Sequence, residues 1–328
     1  MKVVFLGTPE IAKICLDEIL RSQHEVMAVV TKPDKPAGRG KKLQMSPVKT
    51  LALEKKLPVF QFKNINEDGV EILKKIKPDV LVLVAFGQIL KQEILDIALP
   101  INLHPSLLPK YRGPSPVQSA ILNGETETGI SIIKMVNDVD SGDVLMQKRI
   151  TILPDDNSQT LFKKLAELGG KMLVECLDLI EQNKSVFTPQ NHSEATFTSV
   201  ITKQSAKLDF NNNTADLINK IRAYNPSPVA FFELYGVKYK VFKAKEFNQE
   251  EDINNNTSGN NQREKDLINI EKKPKVGEVV EASSNQGFII KTVDGYIEIL
   301  ELQFPNSTRM SAKNFFNGRN IKIGSIIK

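Results

Sequence analysis

Residues Asp79–Phe86 read DVLVLVAF, apolar at every position after the first. A strand with no polar face must be covered on both sides, as inside a parallel sheet. Such a strand needs neighbours joined through crossover helices, so strand and helix patterns should alternate around it. They do. Val3–Leu6 ends at Gly7, and Thr8-Pro9 supplies a cap and a first helical residue before Ile11–Leu20. Strands are expected at Glu25–Thr31, Pro58–Gln61, Pro100–His104, Thr128–Val136 and Asp143–Ile152. Helices are expected at Pro47–Lys56, Glu67–Lys75, Val117–Asn123 and Ser158–Gln182.

The alternation stops near Lys184, and residues 185–205 are polar and aperiodic, the composition of a linker. Beyond them come one amphipathic helix, Thr214–Ala223, and five short strands with glycine turns. These strands are Ala230–Leu234, Val237–Lys243, Gly277–Ala282, Gly287–Thr292 and Tyr296–Leu302, a pattern that fits a small barrel. The chain therefore reads as α/β, with a Rossmann-like, mostly parallel sheet domain over 1–184. A smaller OB-like β-barrel domain occupies 206–328 and carries a low-complexity, Asn-rich insertion at 248–275.

Several function classes drop out. No run of 18 apolar residues exists, so a membrane-spanning helix is excluded. The first residues, MKVVFLGTPE, are neither a signal peptide nor a transit sequence, and cytoplasmic residence is expected. Cys15 and Cys176 lie in apolar periodic stretches and read as core residues, not as a disulfide framework. With 3 His and 2 Cys scattered along the chain, no zinc site forms at a recognised spacing, and no metal is expected. LGTPE lacks the glycines of a dinucleotide fingerprint, and no P-loop motif occurs. VNDVDSGDV offers alternating acids, but its glycine falls a place early and Arg149 stands where an EF-hand needs glutamate.

The net charge of +5 is modest, but its distribution is uneven. From Lys32 to Lys49 there are six Lys or Arg against one acid, Asp34, and from Gln303 to Lys328 five against none. On charge alone, a polyanion footprint and an ordinary solvated surface are both open. The chemistry concentrates at NLHPSLLP, where Asn102 and His104 sit at the carboxyl end of a strand, the end where open α/β sheets bind ligands. Two residues apart on a strand, they leave the same face, so an amide donor and an imidazole converge. Such a pair can stabilise an oxyanion and move a proton, while a hydrogen-bonded structural histidine is the alternative. Asp140 is an acid that could orient His104; within Asp-Ser-Gly it also reads as an ordinary turn residue.

The string INLHPSLLPKYRGPSPVQSAILNGETETGISI, followed by MVNDVDSGDVL, resembles the 10-formyltetrahydrofolate-dependent formyltransferase family. The resemblance implies that Asn102, His104 and Asp140 form the catalytic trio and that Ser106, Leu107, Leu108 and Pro109 contact folate. AFGQIL resembles the stretch bordering the pterin pocket, which implicates Phe86, Ile89 and Leu90. TKPDKPAGRGKK resembles the basic loop of the branch that formylates the methionyl group of initiator tRNA, which implies tRNA contacts by Arg39, Lys41 and Lys42. VVFLGTPEIA, SPVKTLA and IRAYNPSP extend the likeness over almost the whole chain.

The implied reaction passes the formyl group of 10-formyltetrahydrofolate to the α-amine of initiator methionyl-tRNA, for translation initiation, with no enzyme nucleophile and no metal. Asn102 and His104 are expected to stabilise the tetrahedral oxyanion while Asp140 holds His104 and manages the proton. A monomer suffices. One alternative is a formyltransferase acting on an amino sugar nucleotide, which has no use for the basic loop. The other is a non-catalytic RNA-binding protein, which gives no reason for the trio.

Overall fold

A computed structural model describes residues 1–37, 42–248 and 273–327, apart from the side chains of Ala37 and Lys42. They form two compact units. The first comprises Met1–Ala120, Thr126–Leu153 and Thr160–Val200; the second comprises Ile121–Glu125, Pro154–Gln159 and Ile201–Lys328.

From the amino terminus the elements are β1 (Lys2–Gly7), α1 (Glu10–Leu20), β2 (Glu25–Thr31), β3 (Lys35–Ala37), β4 (Lys42–Gln44), α2 (Pro47–Glu54) and β5 (Val59–Gln61). Next come α3 (Ile65–Asp68), α4 (Val70–Ile76), β6 (Val80–Val84), α5 (Gln92–Leu95), β7 (Leu99–His104) and α6 (Pro116–Leu122). They are followed by β8 (Glu127–Lys134), β9 (Val144–Thr151) and α7 (Ser158–Glu181).

Seven strands of the first unit make one sheet in the order β5-β2-β1-β6-β7-β8-β9. Pairing is parallel from β5 to β7 and antiparallel beyond, so the mostly parallel sheet expected from the sequence is present. All five residues of β6 are buried, between β1 and β7, as its unbroken apolar run requires. On one face Val4, Leu6, Leu81 and Leu83 pack with Ile65, Leu73 and Ile94 from the covering helices. Strand order reverses between β1 and β6, the kind of switch point at whose carboxyl strand ends open α/β sheets bind ligands.

Four local features differ from expectation. The helix starts at Glu10, with Pro9 as its cap residue; Thr8 instead donates to the Phe86 carbonyl (3.4 Å) and accepts from the Lys32 N–H (3.4 Å). The helix expected over Glu67–Lys75 is two, broken at Gly69, where a Cβ would meet the Ile65 carbonyl oxygen at 2.7 Å. The basic stretch holds a hairpin, β3 against β4, too short and charged to show a strand period. Residues 185–200 are stitched to the first unit: Thr188 exchanges backbone hydrogen bonds with Val144 (2.8 and 2.9 Å), and Thr196 and Thr198 bond the Arg112 main chain (2.8 Å each).

Both cysteines are buried, and burial pushes the Cys176 thiol up to about 12 and the Cys15 thiol well above its ordinary range. Neither forms appreciable thiolate near pH 8, and thiolate is the reactive form. A chromogenic disulfide reagent should therefore find almost no thiol in the native protein and two after denaturation; rapid native labelling would contradict this burial.

The second unit contains α8 (Thr214–Ala223), β10 (Ala230–Leu234), β11 (Val237–Glu246), β12 (Val279–Ser283), β13 (Gly287–Lys291), β14 (Tyr296–Gln303), β15 (Met310–Ser311) and α9 (Ala312–Phe316). Its sheet is antiparallel, in the order β10-β11-β14-β13-β12, with β15 beside β14. Among the described residues, no ladder joins the two ends of this path. Leu217 and Ile221 of α8 pack into a core built on Phe232, Phe288 and Phe315. The first turn of α8 is tied by Asp294, whose carboxylate accepts from the Thr214 N–H (2.9 Å); that bond holds the carboxyl below its ordinary value. Most of the Asn-rich insertion, 249–272, lies outside the described residues.

Candidate active site

The site grows from the carboxyl end of β7. Asn102 pairs with Leu83 on one side and Ile133 on the other, and His104 pairs with Ser131, so both residues are held by a ladder rather than a loop. His104 is buried, 4% exposed, and its ring is fixed at two points. Nε2 lies 2.9 Å from the Tyr111 carbonyl, which only accepts, so Nε2 carries a hydrogen. Nδ1 faces Asp140 Oδ2 at 3.4 Å. Asp140 adopts the left-handed region, φ 49°, and Oδ2 accepts from the Gly113 N–H at 2.8 Å. The sequence had left open whether this aspartate is only a turn residue; the structure brings its carboxylate to the imidazole.

Burial holds the His104 pKa below its ordinary value, and the nearby Arg112 charge adds to that; the Asp140 charge and the Tyr111 hydrogen bond oppose it. The resting ring is neutral, with a hydrogen on Nε2 and a lone pair on Nδ1. A proton taken up at Nδ1 is then shared with the Asp140 carboxylate. Because the folded state disfavours the charged ring, the stability this contributes is present above pH 6.5 and is lost as pH falls through the lowered folded pKa. The melting temperature should fall between about pH 7 and pH 5, and His104→Gln should flatten that slope; an unchanged slope would contradict a neutral buried ring.

Asn102 is half-buried, and its amide makes no hydrogen bond among the described residues. It is a free donor at a fixed strand position. Asp140 Oδ1 is likewise without a partner among the described residues.

The residues read as folate contacts are scattered in role. Ser106 is fully buried, and its hydroxyl donates to the Lys110 carbonyl (2.7 Å). The Leu108 N–H donates to Ser131 Oγ (3.0 Å), its carbonyl accepts from Gln147 (2.9 Å), and it precedes a cis bond to Pro109. Ser106–Pro109 is therefore braced from behind by Ser131 and Gln147, with Leu107 and Pro109 half-buried. Phe86 and Leu90 belong to the core of the first unit, whereas Ile89 is 78% exposed.

A cavity of about 540 Å³ opens instead beside the Asp140 loop, lined by Gln92, Leu95, Leu99, Pro100, Met135 and Asn137 among others. Its walls come from α5, the start of β7, and the end of β8 with the segment that follows it as far as Asp138. No motif marks these residues, because α5 is a single turn and the segment after β8 has no period to detect.

Of the residues read as tRNA contacts, Arg39 and Lys41 lie outside the described residues, as does the side chain of Lys42, which opens β4. At the base of that hairpin, Asp34 accepts from Lys49 (2.7 Å) and Gln61 (2.9 Å). The Lys49 bond first, and then the Gln61 bond, hold its carboxyl below the ordinary value. The single acid of the basic stretch is thus already paired. Among the described residues, one cluster has distances suited to a metal: His24, Asp178 and Glu181. It lies by the amino ends of β1 and β2, at the opposite end of the sheet from His104. No described helix is long and apolar enough to cross a membrane.

Residues 1–177 match the family described as Formyl transferase, and residues 200–320 match Formyl transferase, C-terminal domain. The chain is 37% identical over 328 residues to methionyl-tRNA formyltransferase of Sulfurihydrogenibium sp., with 99% of each chain covered. It is 39% identical over 328 residues to methionyl-tRNA formyltransferase of Kosmotoga olearia, covering 99% of this chain and 98% of that one. Among solved structures, HypX from Aquifex aeolicus in complex with tetrahydrofolic acid superposes with a TM-score of 0.63 at 18% identity, over 96% of this chain and 46% of HypX. An N-formyltransferase from Helicobacter canadensis, in complex with folinic acid and dTDP-3-aminofucose, gives 0.64 at 20%, over 91% and 98%. At such identities these two structures speak to the fold alone.

Proposed function

The chain belongs to the formyl transferase family, and from that membership we propose that it transfers the formyl group of 10-formyltetrahydrofolate to the α-amine of initiator methionyl-tRNA. The observation that carries the choice of acceptor is full-length likeness, at 37% and 39% identity, to proteins named for that reaction. The chemistry rests on the convergence of Asn102, His104 and Asp140.

The α-amine attacks the formyl carbon, and the carbonyl oxygen becomes an oxyanion. Asn102 donates to it from the first moment of attack, since its amide is unspent. His104 cannot, because the only hydrogen of the neutral ring is on Nε2 and is held by Tyr111. The proton lost by the attacking nitrogen goes to the pair formed by Asp140 and His104 Nδ1. Once protonated there, His104 sets a positive charge beside the oxyanion, while its two N–H groups face Tyr111 and Asp140. The intermediate collapses as the bond from carbon to N10 breaks, and the pair returns the proton to N10. The protons balance, and no enzyme nucleophile enters. The cavity beside the Asp140 loop is the place for the pteridine, with Leu95, Leu99 and Met135 as its apolar wall.

The basic hairpin supplies the RNA contact in this reading. Arg39→Ala should raise KM for tRNA, with the slope of log affinity against log salt falling by about one unit for one phosphate lost. A defect independent of salt would contradict a phosphate contact. The test of the whole assignment offers the protein 10-formyltetrahydrofolate with charged initiator tRNA or with an amino sugar nucleotide. Formylmethionine on the tRNA alone is expected; formylation of the sugar alone would overturn the reading.

A further inference from the structure

Arg112 is a buried cation of the first unit that the reaction described above does not use. It is 4% exposed, and among the described residues no carboxylate oxygen lies within 4.0 Å of its guanidinium. Its partners are an amide and an imidazole: Gln190 Oε1 accepts from Nε at 3.2 Å and from Nη2 at 2.7 Å, and His192 Nδ1 accepts from Nη2 at 3.1 Å. A buried charge without a counter-ion persists only where something else requires it.

Gln190 shows what that is. Also buried, it uses its oxygen for Arg112 and gives its amide hydrogens to the carbonyls of Asp140 (2.9 Å) and Gly142 (2.7 Å). These carbonyls flank the turn in which Asp140 holds its left-handed φ of 49°, a conformation that costs energy for any residue with a Cβ. The turn is also pressed against β8: a Cβ on Gly142 would lie 1.8 Å from the Lys134 carbonyl oxygen. Four hydrogen bonds thus run in a line from a buried cation to the main chain that aims the Asp140 carboxylate at His104.

We propose that Arg112 and Gln190 are positioning residues for this site: Gln190 fixes the backbone around Asp140, and Arg112 orients Gln190 while lending the reacting pair a positive charge that no carboxylate cancels. The proposal rests on the reading of Asp140 as proton acceptor. The charged and titratable groups facing His104 are Asp140 and Arg112, and His192 faces Arg112. Of these, Arg112 opposes protonation of His104 and Asp140 favours it. The pair therefore waits empty for the proton of the amine.

The test compares Gln190→Leu, Arg112→Met, Arg112→Lys and Asp140→Asn with the parent protein, using charged initiator tRNA and 10-formyltetrahydrofolate. Gln190→Leu should lower kcat about 10- to 100-fold, the scale of a misplaced catalytic group, with both KM values within about threefold. Arg112→Met should lower kcat and also move the acid limb of its pH profile upward by about one unit. Arg112→Lys keeps the charge and should leave that limb in place. If Gln190→Leu melts early, Gln190→Glu serves, because it fills the same space but cannot donate to the two carbonyls; the same loss of kcat is expected. Parental kcat in the Gln190 variants, or an unmoved acid limb in Arg112→Met, overturns the proposal. Either result beside an inactive Asp140→Asn leaves the site assignment standing, whereas an active Asp140→Asn removes that assignment itself.

Discussion

Replacing His104 by alanine should lower kcat by about two to four decades, the range for losing a general acid or base. The ring does two things in sequence. In the proposed mechanism the neutral ring offers Nδ1 beside Asp140 as a base, and once protonated its positive charge offsets the negative charge growing on the formyl oxygen. Alanine abolishes both, and it leaves Asp140 facing a void where a proton-sharing partner stood. Asp140→Asn keeps the volume and can still accept from the Gly113 N–H, but it cannot take a proton. Its cost should be about two to four decades, the range for a general acid or base. Neither side chain is among those lining the cavity, so the KM for formyl-folate should hardly move. A proportional rise in that KM with kcat preserved would mean that these groups bind substrate and do not act on it.

The second large effect is on stability. Phe232 has no exposed surface, stacks on Tyr239 at 5.2 Å and 13°, and meets Phe288 edge-on at 6.0 Å. Phe210 approaches it at 6.2 Å. Phe232→Ala removes the centre of that aromatic cluster, and such truncations cost about 3–5 kcal/mol. Against a total of about 5–15 kcal/mol for a folded protein, the loss should shift the unfolding of the second unit by many degrees in a thermal melt followed by near-ultraviolet circular dichroism. A loss below about 1 kcal/mol would mean that this ring does not organise the core.

How much of this was legible in the sequence follows from which interactions are local. β6 announced itself because a strand buried on both faces has no polar residue to confuse the pattern. Asn102 and His104 could be placed on one face because strand geometry relates neighbours two apart. Asp140 could not be joined to them by the same reasoning. Its approach depends on a left-handed turn and on the Gly113 N–H, both settled by tertiary packing. Gln190 was invisible for a related reason: it lies in a polar, aperiodic stretch whose order comes from bonds to Arg112 and to the Asp140 turn. Phe86 and Leu90 show the converse. An apolar residue near a strand end looks alike in sequence whether it lines a pocket or fills the core, and both of these fill the core. Ser106 offered a hydroxyl next to the site, but its hydrogen is spent on the Lys110 carbonyl. The imidazole was expected to help stabilise the oxyanion; the Tyr111 carbonyl, which no motif encodes, faces the ring nitrogen that carries the hydrogen.

In the proposed reaction the formyl carbon sits among Asn102, His104 and Asp140. A crystal structure with 5-formyltetrahydrofolate tests it most directly. The pteridine should occupy the cavity beside Met135 and Leu99, with the formyl group within about 3–3.5 Å of the Asn102 amide or the Asp140 carboxylate, the separation of groups placed to react. A pteridine bound elsewhere on the chain, or a formyl group turned away from β7, would contradict the account.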